Sequence, residues 1–243
     1  MSPGLRLCAF HLAFFLCLNL IPSLIPPADV LFAEVETETE VPPAELTGMD
    51  DVSPDDWFYV YIRLGYRHGF LHGQDGKFEP NRSITRAEFI TILGRLHRAL
   101  GGYVEYEASS AAETFHTPYL RWANDLDLIE GNEHGHFRPD EPILRAEIAV
   151  ILMRYLNVYS LYDHFLPQYE HHNENFADAE DIPPWAASPA RLLRNFGIMQ
   201  GIHHPEDPEG IYYFLPDDEA MRSEAATIFA RMFITIFDGT VAT

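Results

Sequence analysis

The sequence predicts a mainly helical, all-α protein: three helix–turn–helix units in a pseudo-threefold trimer around a central three-helix bundle. Three observations lead there. One Arg-x-Glu motif occurs three times, each time at the same distance from the same flanking residues. An apolar stripe of helical period follows each copy, and turns marked by Gly or Pro separate the stripes.

In chain order, residues 1–33 read as an export signal. Arg6 supplies a small positive start, residues 7–20 are apolar apart from His11 and Asn19, and Pro22, Pro26 and Pro27 argue against a long spanning helix. Ala33 is the expected last residue before cleavage; an uncleaved anchor is the alternative. Both cysteines, Cys8 and Cys17, lie in this stretch. Cleavage would leave a mature chain without a disulfide framework, a thiol nucleophile or a Cys-ligated metal. Residues 34–48 carry Glu34, Glu36, Glu38, Glu40 and Glu45 with few apolar neighbours and read as a solvated linker.

Three units follow, over residues 49–106, 107–172 and 173–243. Their shared core is Arg86-Ala87-Glu88, Arg145-Ala146-Glu147 and Arg222-Ser223-Glu224. Before each Arg stand a Pro (Pro80, Pro139, Pro216) and a Phe (Phe78, Phe137, Phe214), and after it a second Arg (Arg95, Arg154, Arg231), always at the same offsets. Upstream, Trp57, Gly69 and Gly73 recur as Trp185, Gly197 and Gly201, while the middle unit has Phe115, Asp127 and Gly131.

Each unit begins with a helix. Ser53-Pro54, Thr117-Pro118 and Ser188-Pro189 are hydroxyl–proline pairs of the kind that start helices, and Gly69 and Gly197 suit the left-handed stop. Thr85 and Glu88 form a capping box for the second helix of the first unit. The second helices carry Phe89, Ile92, Leu93, Leu96 and Leu100; Ile148, Ile151, Leu152, Tyr155 and Tyr159; and Ala225, Ile228, Phe229, Met232 and Ile236. Each set follows i, i+3, i+4, i+7, i+11, so the three helices are expected to bury their stripes together.

Composition limits function. Of 243 residues, 37 are Asp or Glu and 16 Lys or Arg, a formal charge of −21. That disfavours nucleic-acid phosphates as partner, and polybasic docking on a membrane once the export signal is gone. No His-Glu-x-x-His, Gly-x-Ser-x-Gly or phosphate-loop signature occurs, and the repeats occupy almost all of the mature chain. No catalytic residue, metal or cofactor is expected.

Asp51-Val52 followed by Trp57, the run Gly69…Gly73…Asp75-Gly76-x-Phe78-x-Pro80, and Ile84-Thr85-Arg86-Ala87-Glu88 together resemble the S-layer homology (SLH) domain. The third unit resembles it through Phe176-x-Asp178, Trp185, Gly197, Gly201 and Arg222, the second through Leu128-Ile129-x-Gly131 and Phe137-x-Pro139. The resemblance implies a secreted, cell-surface protein that binds cell-wall polysaccharide non-covalently, as anchor or adaptor. The polymer would carry pyruvate ketal carboxylates, the binding grooves would lie between units, and an envelope protein could be a further partner. Carried over residue by residue, it implies ligand contacts at Arg86, Arg145 and Arg222, groove or support positions at Trp57, Trp185, Asp51 and Asp178, and matched glycines at Gly73, Gly131 and Gly201. The most complete motif makes the groove of Arg86 the expected dominant site.

The residues themselves leave other readings open. The three arginines could pair with Glu88, Glu147 and Glu224 or with neighbouring units, and the tryptophans could be core. Arg95, Arg154 and Arg231 read as structural bridges. The other functional classes are an enzyme acting on wall glycans and an envelope oligomer without sugar binding.

Overall fold

The computed structural model describes residue 46 and residues 49–105, 114–131, 136–171 and 175–241. The export segment lies outside the described residues, as does the acidic linker apart from Leu46. Among the described residues there are six α-helices: α1 (Tyr59–Arg67), α2 (Arg86–Ala99), α3 (Thr117–Asp125), α4 (Arg145–Val158), α5 (Pro184–Asn195) and α6 (Arg222–Val241). A 3-10 stretch, Tyr162–His171, joins the second unit to the third. Among the described residues there is no strand, only isolated bridges. No described helix is long and apolar enough to cross a membrane.

The second helices bury the stripes read from the sequence. Phe89, Leu93 and Leu96 of α2, Ile148 and Leu152 of α4, and Ala225, Phe229 and Met232 of α6 are all fully buried. Phe89 and Phe229 meet ring to ring at 4.7 Å between centroids. The first helices are shared out between units: α1 packs on α6, α3 on α2, and α5 on α4. Each unit therefore covers the apolar face of the unit before it, and the first covers the third.

Backbone hydrogen bonds close the same ring. The amide of Ile84 donates to Ala220 O, that of Ala220 to Ile143 O, and that of Ile143 to Ile84 O, at 2.9, 3.1 and 3.0 Å. All three residues are fully buried, so these bonds satisfy polar groups that water cannot reach. The three bonds form a closed set just ahead of α2, α4 and α6.

Thr85 caps α2 as expected: Glu88 N donates to Thr85 Oγ1 at 3.2 Å and Thr85 N to Glu88 Oε2 at 3.0 Å. Leu144 and Met221 have no side-chain acceptor, yet their amides still donate to Glu147 and Glu224 at 3.0 and 2.8 Å. Gly69 and Gly197 end α1 and α5 at φ +75° and +71°, and Asp127 takes that conformation after α3 at φ +54°.

Two expected helix starts are displaced. Ser53 belongs to a turn closed by Asp56, and α1 begins later, at Tyr59. Ser188-Pro189 falls inside α5, which starts one turn earlier at Pro184. A proline at the first helical position is pre-set for the helix and loses no internal bond, so Pro184 is the stronger start signal, and Pro189 is tolerated near the helix start at the expense of one bond.

The interface of α2, α3 and α4 holds a buried histidine. His97 is 4% exposed. Its Nδ1 lies 3.2 Å from Tyr155 Oη, and its ring packs on Trp122 and Tyr159. Burial, with Arg98 nearby, lowers its pKa to about 4. An unfolded His titrates near 6.5, so its contribution is complete above that pH and is lost as pH falls towards 4, because only the unfolded chain takes the proton. Between pH 7 and pH 5 the loss is about 2 kcal/mol. Urea denaturation at the two pH values should show it, and His97→Gln should flatten the difference. An equal pH dependence in both proteins would mean that His97 is not held neutral.

Candidate functional site

The three repeated arginines stand at the joints between units, each at the first position of a second helix. Arg86 Nε donates to Phe137 O at 2.8 Å, Arg145 Nε to Phe214 O at 2.6 Å, and Arg222 Nε to Phe78 O at 2.7 Å. Each guanidinium also lies over the ring of that phenylalanine, 4.5, 5.8 and 4.8 Å from the centroid. Each pairs with the motif glutamate of the next unit: Arg86 with Glu147, Arg145 with Glu224 at 3.1 Å, and Arg222 with Glu88 at 3.3 Å.

The glutamates thus act twice, capping their own helix with one oxygen and holding a neighbouring arginine with the other. Burial alone would raise the Glu88 carboxyl. Hydrogen bonds from Arg82 and the Thr85 amide, with the charges of Arg222 and Arg82, instead bring it below the usual carboxylate range. Burial pushes the arginines the other way, lowering Arg145 and Arg222. The side chains of Arg86 and Arg145 are 7% and 5% exposed, and that of Arg222 is 11% exposed. Of the three guanidiniums, that of Arg222 has the readiest access from solvent, and it also reaches His72 O at 3.5 Å.

Asp51 and Asp178 have a framework geometry. The two oxygens of Asp51 accept the amides of Phe78 and Glu79, both at 2.7 Å. Those of Asp178 accept Phe214 and Leu215, again at 2.7 Å. Glu79 and Leu215 each precede the repeat proline and sit at φ +58° and +55°. A non-glycine residue there is strained, and two charge-assisted bonds per turn offset that strain. The turn in question presents the carbonyl that receives the arginine.

Trp57 and Trp185 lie on the surface, 61% and 57% exposed, which removes the core-packing reading for both. Phe115, at the matching place in the second unit, is 59% exposed. Phe115 stands as far before Gly131 as Trp57 does before Gly73 and Trp185 before Gly201, a spacing that marks it in the sequence as the third ring of the set. The three rings flank the starts of α1, α3 and α5, the helices that bridge to the preceding unit. Gly73, Gly131 and Gly201 lie in the turns between first and second helices, and Gly201 is at φ +86°, where a Cβ would meet Phe176 and the Tyr213 carbonyl.

Between the first and second units runs a groove of about 420 Å³, lined by His68, His72, Arg95, Arg98 and Tyr119. Among the described residues, no three His, Cys, Asp or Glu side chains converge to hold a metal.

Residues 48–90 and 110–149 match the S-layer homology domain family. The chain is 29% identical over 174 residues to Cell surface glycoprotein 1 of Acetivibrio thermocellus, covering 69% of this chain and 7% of that protein. It is 30% identical over 179 residues to the amylopullulanase of Thermoanaerobacterium thermosulfurigenes, covering 72% and 9%. A third relative is the cellulosome-anchoring protein of Acetivibrio thermocellus, 27% identical over 172 residues, covering 67% and 35%. The chain therefore spans only a minor part of each of these relatives.

Proposed function

We propose that this chain, which carries S-layer homology domains at residues 48–90 and 110–149, is a non-catalytic cell-surface module that holds non-covalently to cell-wall polysaccharide. Residues 173–243 act as a third unit of the same kind. The observation that carries this reading is the set of three exposed rings, Trp57, Phe115 and Trp185, one near the start of each first helix. An exposed flat ring is costly in water and suits the apolar face of a sugar.

Acidic groups on the polymer, pyruvate ketal carboxylates among them, are the anions that arginine's planar fork of donors recognises. Arg222 is the motif arginine best placed to take part. Arg86 and Arg145 serve mainly to hold the joints, and Asp51 and Asp178 shape the turns beside them. Relatives named as a cell surface glycoprotein and a cellulosome-anchoring protein support a place in the envelope and a role as anchor or adaptor for another protein. The amylopullulanase supports the same role, since the likeness spans only 9% of that protein.

The test is co-sedimentation of the chain with purified wall sacculi, before and after chemical removal of the secondary polymer. Saturable binding that disappears with the polymer, with no release of label from labelled wall, is expected. Release of soluble label would replace this reading with an enzyme. Absence from the pellet would leave a structural oligomer.

A further inference from the structure

We propose that a cleft confined to the third unit is the docking site for this chain's own acidic linker, residues 34–45. The cleft is lined by third-unit residues throughout, and the proposal does not depend on the wall-binding reading.

About 260 Å³ of space lies between the segment 175–182 and α5. The two walls differ in character. Phe176, Ala179 and Ile182 make the segment wall apolar, whereas Ser188, Arg191 and Arg194 line the helix wall. No acidic residue occurs in α5. The Arg194 guanidinium is held over the Phe176 ring, 4.5 Å from its centroid. Arg191 is exposed and, among the described residues, makes no hydrogen bond or ion pair. Its counterparts in the other units, Arg63 and Arg121, are both engaged.

The repeats explain why the cleft is open. Counted from Trp185 and Trp57, Ala187 and Ser188 take the places that Tyr59 and Val60 hold in the first unit. Tyr59 is buried there, and a side chain of that bulk at position 187 would fill the space. The place of Arg194 is held by Tyr66 in the first unit and Asn124 in the second. Small residues and a second arginine therefore come together in the third unit alone.

A cleft with one apolar and one cationic wall suits an extended acidic segment, because successive side chains of an extended chain point to opposite sides. Glu34, Glu36, Glu38 and Glu40 alternate with Val35, Thr37 and Thr39. One edge thus offers carboxylates, which a guanidinium binds through paired charge-assisted bonds. The other offers compact β-branched groups to Phe176 and Ile182. The stretch meets the described body at Leu46, whose carbonyl accepts the Met49 amide at 3.2 Å. Its 12 residues extend to about 40 Å, close to the diameter of about 40 Å expected of a body this size. On that tether the linker meets the cleft at a high effective concentration, which favours it over a free segment or a second copy.

The experiment is hydrogen–deuterium exchange of the full chain, read by mass spectrometry on peptides from residues 34–45. These amides should exchange about tenfold or more slowly than in the same peptide free in solution, and salt should remove most of the difference. Arg191→Glu should return them to the free-peptide rate. So should Ala187→Tyr, which fills the cleft with the first unit's residue. Arg138→Glu, the same change of charge at an exposed arginine of the second unit, should leave the protection as it was. Melting temperature shows that each variant is folded, and Arg191, being exposed, decides the matter even if Ala187→Tyr does not fold. Free-peptide exchange in the wild type overturns the proposal, as does protection that survives Arg191→Glu. Protection that grows with protein concentration would put the linker in the cleft of a second copy and overturn docking within the chain.

Discussion

Arg145→Ala is expected to destabilise the protein by about 3–5 kcal/mol, the usual cost of removing one partner from a buried ion pair. The side chain is 5% exposed and fills the joint between the second and third units. Its loss strips a 2.6 Å bond from the Phe214 carbonyl and leaves the Glu224 carboxylate, itself little exposed, without its cation. Glu224 retains the Met221 amide, so the penalty falls short of that for an isolated buried charge. Arg145→Met should be milder, because an apolar side chain of similar length keeps the packing over Phe214. Arg222→Ala should cost less than Arg145→Ala, since Arg222 is more exposed and Glu88 still has Arg82 at 2.7 Å. Urea denaturation, with a double-mutant cycle through Glu224→Ala, measures the pair itself. A loss below about 1 kcal/mol for Arg145→Ala would show that the joint does not depend on this pair.

The joints were partly legible in the sequence. Arg86 and Glu88 are two residues apart on one helix, and residues at that spacing do not face each other. The sequence left pairing within a unit and between units both open, and in the structure each arginine meets the glutamate of the next unit. The packing of the first helices on the preceding unit was not legible. Periodicity shows that a face is apolar but not which helix covers it. Asp51 and Asp178 were visible as repeated residues, but their task depends on the positive φ of Glu79 and Leu215, which no residue type there announces.

Removing the three surface rings together, Trp57→Ala, Phe115→Ala and Trp185→Ala, should abolish wall binding with little effect on stability. All three are more than half exposed, so truncation leaves no cavity, and surface changes of this kind stay within about 0.5 kcal/mol each. At a binding surface, a large aromatic anchor can contribute about 2 kcal/mol, roughly thirtyfold in Kd. The single variants should therefore weaken binding of short polymer fragments, with Trp57→Ala and Trp185→Ala exceeding Phe115→Ala because indole covers more apolar area. On intact sacculi the triple variant should lose more than the fragments suggest. One chain can engage a long polymer at several joints, and each later contact forms at the high effective concentration set by the first. Phe115→Trp offers the reverse test, restoring at the middle joint the ring found at the other two. It should hold fragments at least as tightly as wild type. Sedimentation with sacculi and titration with fragments provide the readouts, and melting temperature shows that the fold is intact. Wild-type binding by the triple variant would remove the rings from the site and transfer the recognition to the arginine-lined grooves alone.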